Sequence, residues 1–325
     1  MTESTYREAV NRAIAAELEA DDDVFLLGED VAAAGGVFKT TEGLHERFGG
    51  RRVLDTPISE QAIVGTAIGA AVQGLRPLAE IMFADFAGVC FDQIANQLAK
   101  YRYMTGGQVQ LPVTIRLANG AGAGFAAQHS QPVENWFLNV PGLKIVTPAT
   151  PADAYGLLRA AIRDPDPVLF FEHKSLLNVK GPLPDASDVA RLGRAEVVRS
   201  GEDVTVVASQ LMRHRALQAA HELAAEGIDV ELIDPRTLVP FDFDAVRRSV
   251  ERTNRLVVVQ EATLAGSWGA TLAARVAIEA FESLDGPPAI VGGDDTPVPY
   301  SGVLEDAWLP DARRIAEAIR RTVSF

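Results

Sequence analysis

A carboxylic acid stands in the run Asp55-Thr56-Pro57-Ile58-Ser59-Glu60-Gln61, where a strand end passes through proline into the start of a helix. In open α/β sheets, ligands bind at such strand–helix junctions. An acid in a first helical turn also complements the helix dipole, and for Glu60 taken alone that plainer reading is favoured. A second signal is Asn119-Gly120-Ala121-Gly122-Ala123-Gly124, which follows an apolar strand and leads to Gln128-His129-Ser130-Gln131. Its glycine spacing misses the dinucleotide-binding fingerprint, and no helix follows at once. A loop of small residues that delivers His129 into a cleft fits better, although a lone histidine is more often structural. The third signal is Glu80-Ile81-Met82-Phe83-Ala84-Asp85-Phe86, a strand that ends in an aromatic. Such a ring is usually core. It can also offer its face to a heteroaromatic ligand, worth about 0.5–1.5 kcal/mol beyond burial.

The elements that must position these residues alternate in type. Thr5 and Glu8 have capping-box spacing ahead of the amphipathic set Ala9, Val10, Ala13, Ile14 and Leu18. Residues 24–27 form a short apolar run closed by Gly28, as a buried strand does. Residues 61–73 predict a helix crowded with Gly65, Ala67, Gly69, Ala70 and Ala71, small enough to admit another backbone. Strands are predicted at 78–82, 113–117, 144–146 and 168–171, with helices at 91–103 and 152–162. Periodicity then lapses over 172–191, around Pro182 and Pro184, which marks an interdomain connection. Afterwards strands at 204–208, 230–233 and 256–259 alternate with helices at 212–226, 242–252 and 310–322. The pattern predicts an α/β protein of two doubly wound domains, residues 1–186 and 187–325.

Composition narrows the classes. A chain of 325 residues exceeds one hydrophobic core, and its net charge of −14 opposes nucleic acid and anionic lipid. Every apolar run is interrupted, so no membrane span is predicted. Glu3 and Glu8 do not suit a signal or transit peptide, and Cys90 is the one cysteine. Both point to the cytoplasm.

No single motif is specific, but their ordered set is. Gly28-Glu29-Asp30-Val31, Leu54 to Glu60, Phe83-Ala84-Asp85-Phe86, Ala127 to Gln131 and Pro141-Gly142-Leu143-Lys144 resemble the β subunits of 2-oxoacid dehydrogenase E1 components. The likeness continues through Ala161-Ile162-Arg163-Asp164, Asp294 to Pro299 and Leu309-Pro310-Asp311-Ala312, and so spans the chain. Lys100 to Met104, Phe171 to Lys174 and Thr296 to Tyr300 are most similar to the acetoin dehydrogenase type.

The resemblance implies an N-terminal pyrimidine-type thiamine-diphosphate-binding domain and a C-terminal transketolase-C-like domain. It implies a cofactor bound between two subunits, with Glu29, Ile58, Glu60, Met82 and Phe86 on this chain's side. Glu60 matches the acid that faces the aminopyrimidine nitrogen and favours the tautomer that activates the thiazolium. A carboxyl withdrawn from water would keep its proton for that role. Phe86 matches the ring packed on the pyrimidine, and His129 the active-site histidine that orients substrate and passes protons. Met82 departs from the polar residue of many branched-chain relatives, which counts against their substrates. In several relatives potassium binds near Val113, Ala161, Ile162, Asp164 and Asp166; read as residues alone, Asp164-Pro165-Asp166-Pro167 is a solvated acidic turn. The Gly-Asp-Gly…Asn signature of the magnesium site is missing, since Gly28-Glu29-Asp30 and Gly293-Asp294-Asp295 do not fit it. A partner must therefore hold the diphosphate and its magnesium.

The expected activity is that of an oxidoreductase β subunit in an α2β2 heterotetramer. It would cleave acetoin or decarboxylate a 2-oxoacid and pass the acyl group to a lipoyl-bearing E2. The competing expectations are an α/β pair that joins or cleaves carbon chains without an E2, and a scaffold subunit that keeps only the fold. A nicotinamide-dependent dehydrogenase lacks its phosphate fingerprint.

Overall fold

Strand β1 (Glu3–Thr5) runs straight into helix α1 (Tyr6–Ala20), and the junction is a capping box. The Glu8 N–H donates to Thr5 Oγ1 at 3.2 Å, and the Thr5 N–H donates to Glu8 Oε2 at 2.8 Å. Ala9, Val10, Ala13, Ile14 and Leu18 are all buried, as their spacing requires. The computed structural model describes residues 3–185 and 189–325. Two units form: one runs through Asn119 and resumes from Trp136 to Leu192, and the other joins Gly120–Asn135 to Gly193–Phe325. The expected boundary at 186/187 lies outside the described residues.

After α1 the first unit contains β2 (Val24–Gly28), α2 (Leu44–Phe48), β3 (Val53–Asp55), α3 (Glu60–Val72) and β4 (Arg76–Ile81). It continues with α4 (Ala99–Met104), β5 (Thr114–Asn119), β6 (Lys144–Val146), α5 (Pro151–Arg163), β7 (Val168–His173) and β8 (Lys180–Pro182). Six of its strands form a parallel sheet in the order β6-β7-β5-β4-β2-β3. Every residue of β7 is buried, because helices cover both faces of a parallel sheet. The helix expected at 91–103 is present, but its middle, Gln93–Leu98, is π-helical. The stretch expected to connect the domains is partly structured: β8 pairs antiparallel with β1. That pairing has no apolar alternation, so periodicity does not reveal it.

Among the described residues Arg116, on β5, is the largest fully buried side chain. Its Nε donates to Glu172 at 2.6 Å, and a terminal nitrogen donates to the second Glu172 oxygen at 2.8 Å and to Thr40 at 3.0 Å. The other terminal nitrogen donates to Glu80. One guanidinium thus ties β4, β5 and β7 to the loop between β2 and α2. Burial pushes the Glu80 carboxyl above its ordinary range, against the pull of Arg116.

The second unit contains β9 (Glu196–Arg199), β10 (Val204–Ala208), α6 (Gln210–Ala224), β11 (Val230–Asp234), β12 (Thr237–Val239) and α7 (Phe243–Thr253). It ends with β13 (Leu256–Val259), α8 (Trp268–Glu279), β14 (Ala289–Val291), α9 (Gly302–Trp308) and α10 (Ala312–Val323). Its sheet has the order β14-β13-β10-β11-β9, with only β9 antiparallel. Among the described residues no helix is long and apolar enough to cross a membrane.

Replacing Arg116 with Met leaves two carboxylates without their buried partner. Removing one member of a buried ion pair costs about 3–5 kcal/mol, and urea denaturation should register a loss of that size. A loss below about 1 kcal/mol, typical of an exposed pair, would mean that the network carries little of the unit's stability.

Candidate active site

The strand order of the first unit creates one place where a ligand can enter. From β2 the chain moves outward to β3, and from β4 it moves the opposite way to β5. Connections that diverge from neighbouring parallel strands leave a crevice beyond their carboxyl ends. Glu29 directly follows β2, Met82 directly follows β4, and Phe86 lies in the 3₁₀ turn Ala84–Gly88 just beyond. Glu60 is the first residue of α3, the crossover from β3 to β4. Four expected cofactor residues therefore converge on the topological switch point. Ile58, the fifth, precedes α3 and is 77% exposed.

The acids there sense one another. Burial, then the charges of Asp30 and Glu60, push the Glu29 carboxyl above its ordinary range. Cys90 is buried, and its thiol is pushed up to about 12, by burial first and the Glu60 charge second. Glu60 thus lies within electrostatic reach of both. It is half-buried in this chain. The first turn of α3 receives no side-chain cap from Ser59, so Glu60 is the acid that faces the positive end of the helix. Phe86 is held by an edge-on relay: the Phe83 and Phe86 rings lie 5.7 Å apart at 76°, and Phe38 meets Phe83 at 5.6 Å and 79°. A carboxyl and an aromatic ring, both half-buried at a switch point, fit a flat, protonatable heterocycle.

His129 is in the second unit, within Gly120–Asn135, and is half-buried. The segment is fixed by its backbone. The Ala121 N–H donates to Glu261 at 2.5 Å, and the Gly122 and Gly124 N–H groups donate to the two oxygens of Glu305 at 2.8 and 3.1 Å.

The oxygens proposed for potassium gather at the amino-terminal edge of the first unit's sheet. The carbonyls of Val113, Ala161 and Ile162 accept from the Val168 N–H, the Asp164 N–H and Arg76, at 3.0, 3.1 and 2.9 Å. The acids are paired: Lys144 donates to both oxygens of Asp164, at 2.6 and 2.7 Å, and Arg102 donates to Asp166. Each carbonyl keeps a second lone pair. A hard monovalent cation would therefore be held by these carbonyls more than by the carboxylates.

Comparison with known proteins decides the family. Residues 2–180 match the transketolase pyrimidine-binding domain, and residues 193–315 match the transketolase C-terminal domain. The acetoin:2,6-dichlorophenolindophenol oxidoreductase subunit beta of Cupriavidus necator is 50% identical, over 97% of this chain and 96% of its own. The chain belongs to the E1 β-subunit family. The 2-oxoisovalerate dehydrogenase subunit beta of Bacillus subtilis is 43% identical over the full length of both chains. The pyruvate dehydrogenase E1 component subunit beta of Rhizobium meliloti is 46% identical, over 98% of this chain and 70% of its own. A split-gene transketolase, described as an inactive beta4 tetramer, shares the fold, with a TM-score of 0.81 at 24% identity over 98% of both chains. The chain has a two-domain α/β transketolase-like fold.

In each unit, residues beside the expected ones escaped the sequence reading. Phe38, Cys90, Glu261 and Glu305 show no local motif. Only the position of Glu261, two residues past the apolar strand at 256–259, could have flagged it as a strand-end acid.

Glu29 gives a pH prediction. Its folded-state affinity for a proton is raised, so the folded chain holds that proton more tightly than the unfolded chain. The resulting penalty is absent below the ordinary carboxylate range and grows as pH rises through the raised value. Glu29→Gln should therefore raise the melting temperature at neutral pH, with the gain vanishing towards pH 4. A gain that does not change with pH would exclude the charge repulsion.

Proposed function

We propose that this chain is the β half of a thiamine-diphosphate-dependent dehydrogenase. In this reading it cleaves acetoin, or decarboxylates a 2-oxoacid, and hands the acyl group to a lipoyl-bearing E2. The observation that carries the proposal is the convergence of Glu60, Glu29 and Phe86 at the switch point of a parallel sheet. Acetoin is the preferred substrate, because the acetoin-named subunit is more similar than the pyruvate- or 2-oxoisovalerate-named ones.

Glu60, Glu29, Ile58, Met82 and Phe86 would receive the aminopyrimidine. Bound thiamine diphosphate supplies the electron-sink chemistry. Glu60 would share a proton with a ring nitrogen and so favour the reactive tautomer. Phe86 would pack against the ring, and the exposed Ile58 would offer it apolar surface. His129 orients the substrate and moves a proton during acyl transfer. The diphosphate and magnesium fall to an α subunit, in an α2β2 assembly, because the metal signature is missing from this sequence. Potassium would join the carbonyls of Val113, Ala161 and Ile162, close to Asp164 and Asp166.

Reconstitution is the test. This chain alone should not turn over. With its α partner it should reduce dichlorophenolindophenol with acetoin faster than with pyruvate or branched-chain 2-oxoacids. Turnover by the isolated chain would overturn the split site. In the pair, Glu60→Gln should lower kcat about 10²–10⁴-fold, the usual contribution of a positioned acid–base group, without disturbing assembly; surviving activity would favour the scaffold reading.

Potassium has its own readout. The melting temperature should be higher in potassium chloride than in choline chloride of equal concentration. Equal midpoints would remove potassium from the proposal.

A further inference from the structure

His129 follows β5 of the first unit in sequence, yet its segment is anchored by the second. Gly120, Gly122 and Gly124 have φ of +84°, +83° and +75°, a left-handed conformation that glycine tolerates and L-residues rarely adopt. Alternating with Ala121 and Ala123, they leave the loop almost no side chains with which to hold itself. Such a stretch has high conformational entropy, so whatever fixes it must act on the main chain.

Two carboxylates do so. Glu305 of α9, only 3% exposed, accepts the Gly122 and Gly124 N–H groups on separate oxygens, at 2.8 and 3.1 Å. Glu261, 8% exposed and just beyond β13, accepts the Ala121 N–H at 2.5 Å. Charged acceptors strengthen each of these main-chain bonds. Ala121 is itself part of the second unit's apolar core. At the far end, Asn135 Oδ1 accepts the N–H of Trp268, the first residue of α8, at 2.9 Å. The chain from 120 to 135 is thus fastened at both ends, with His129 between. In the second unit β10 leads to β11 on one side while β13 lies on the other, so Glu261 marks that sheet's own switch point. Where a sheet of this type would take a ligand, the protein has inserted its own glycine loop.

We propose that Glu305, assisted by Glu261, is a positioning residue for His129: it fixes the loop and thereby the place of the imidazole. The inference rests on the reading of His129 as an active-site residue. Glu305 acts through the loop and not directly on substrate or cofactor.

The experiment is a double-mutant cycle in the reconstituted α/β pair, with thiamine diphosphate, acetoin and dichlorophenolindophenol. Glu305→Gln keeps the shape but leaves one acceptor oxygen for two amides. It should lower kcat about tenfold, the value of one charge-assisted hydrogen bond, with the KM for thiamine diphosphate little changed. Amide exchange over 121–125, followed by mass spectrometry, should accelerate. In a His129→Ala background the same substitution should cost nothing further. Additive losses would overturn the inference, because Glu305 would then act by some route other than His129. A silent His129→Ala would instead bring down the reading of His129, and the positioning role with it. If Glu305→Gln does not assemble, Glu305→Asp, which keeps the charge on a shorter stem, goes through the same cycle.

Discussion

Strand β2 lies between β3 and β4, so the chain must fill one side of it before crossing to the other. That constraint shapes the first unit: one connection goes to β3, the next returns through α3 to β4, and the sheet then grows the other way. The crevice left at the reversal is where Glu29, Met82, Phe86 and Glu60 arrive, each at or just beyond the end of a strand or the start of a helix. The acids are costly there. The raised proton affinity of Glu29 and the elevated thiol of Cys90 both reflect an acidic, partly dehydrated corner. Such a corner suits a heterocycle able to share a proton with a carboxyl group.

Buried charge does structural work nearby. Arg116 holds Glu80 and Glu172 from the two strands beside its own, and reaches Thr40 in the loop beyond β2. That loop carries Phe38, whose ring meets Phe83, which in turn meets Phe86. Sheet, loop and aromatic relay form one connected set of contacts that runs from Arg116 to Phe86.

The second unit uses its switch point differently. Glu261 and Glu305 satisfy the amides of a glycine-rich loop that belongs in sequence to the preceding strand. The first unit carries acids and an aromatic at strand ends, and the second carries a histidine on a tethered loop.

Much of this was legible in the sequence. Thr5 and Glu8 announce the capping box, apolar runs mark most central strands, and the alternation of types gives two doubly wound domains. Those signals are local, and local propensity is expressed whatever lies nearby. Short strands such as β1, β8 and β14 were not legible, because they form only when a partner supplies the hydrogen bonds. The types and order of Glu60, Phe86 and His129 were present in the sequence, as was their resemblance to a family. Tertiary structure alone decided that Glu29 and Glu60 share one field, that Lys144 and Arg102 neutralise Asp164 and Asp166, and that Glu305 grips a loop some 180 residues away in sequence (183 from Gly122). Hydrogen bonds and Coulomb forces depend on distance in space, and separation along the chain carries no record of it.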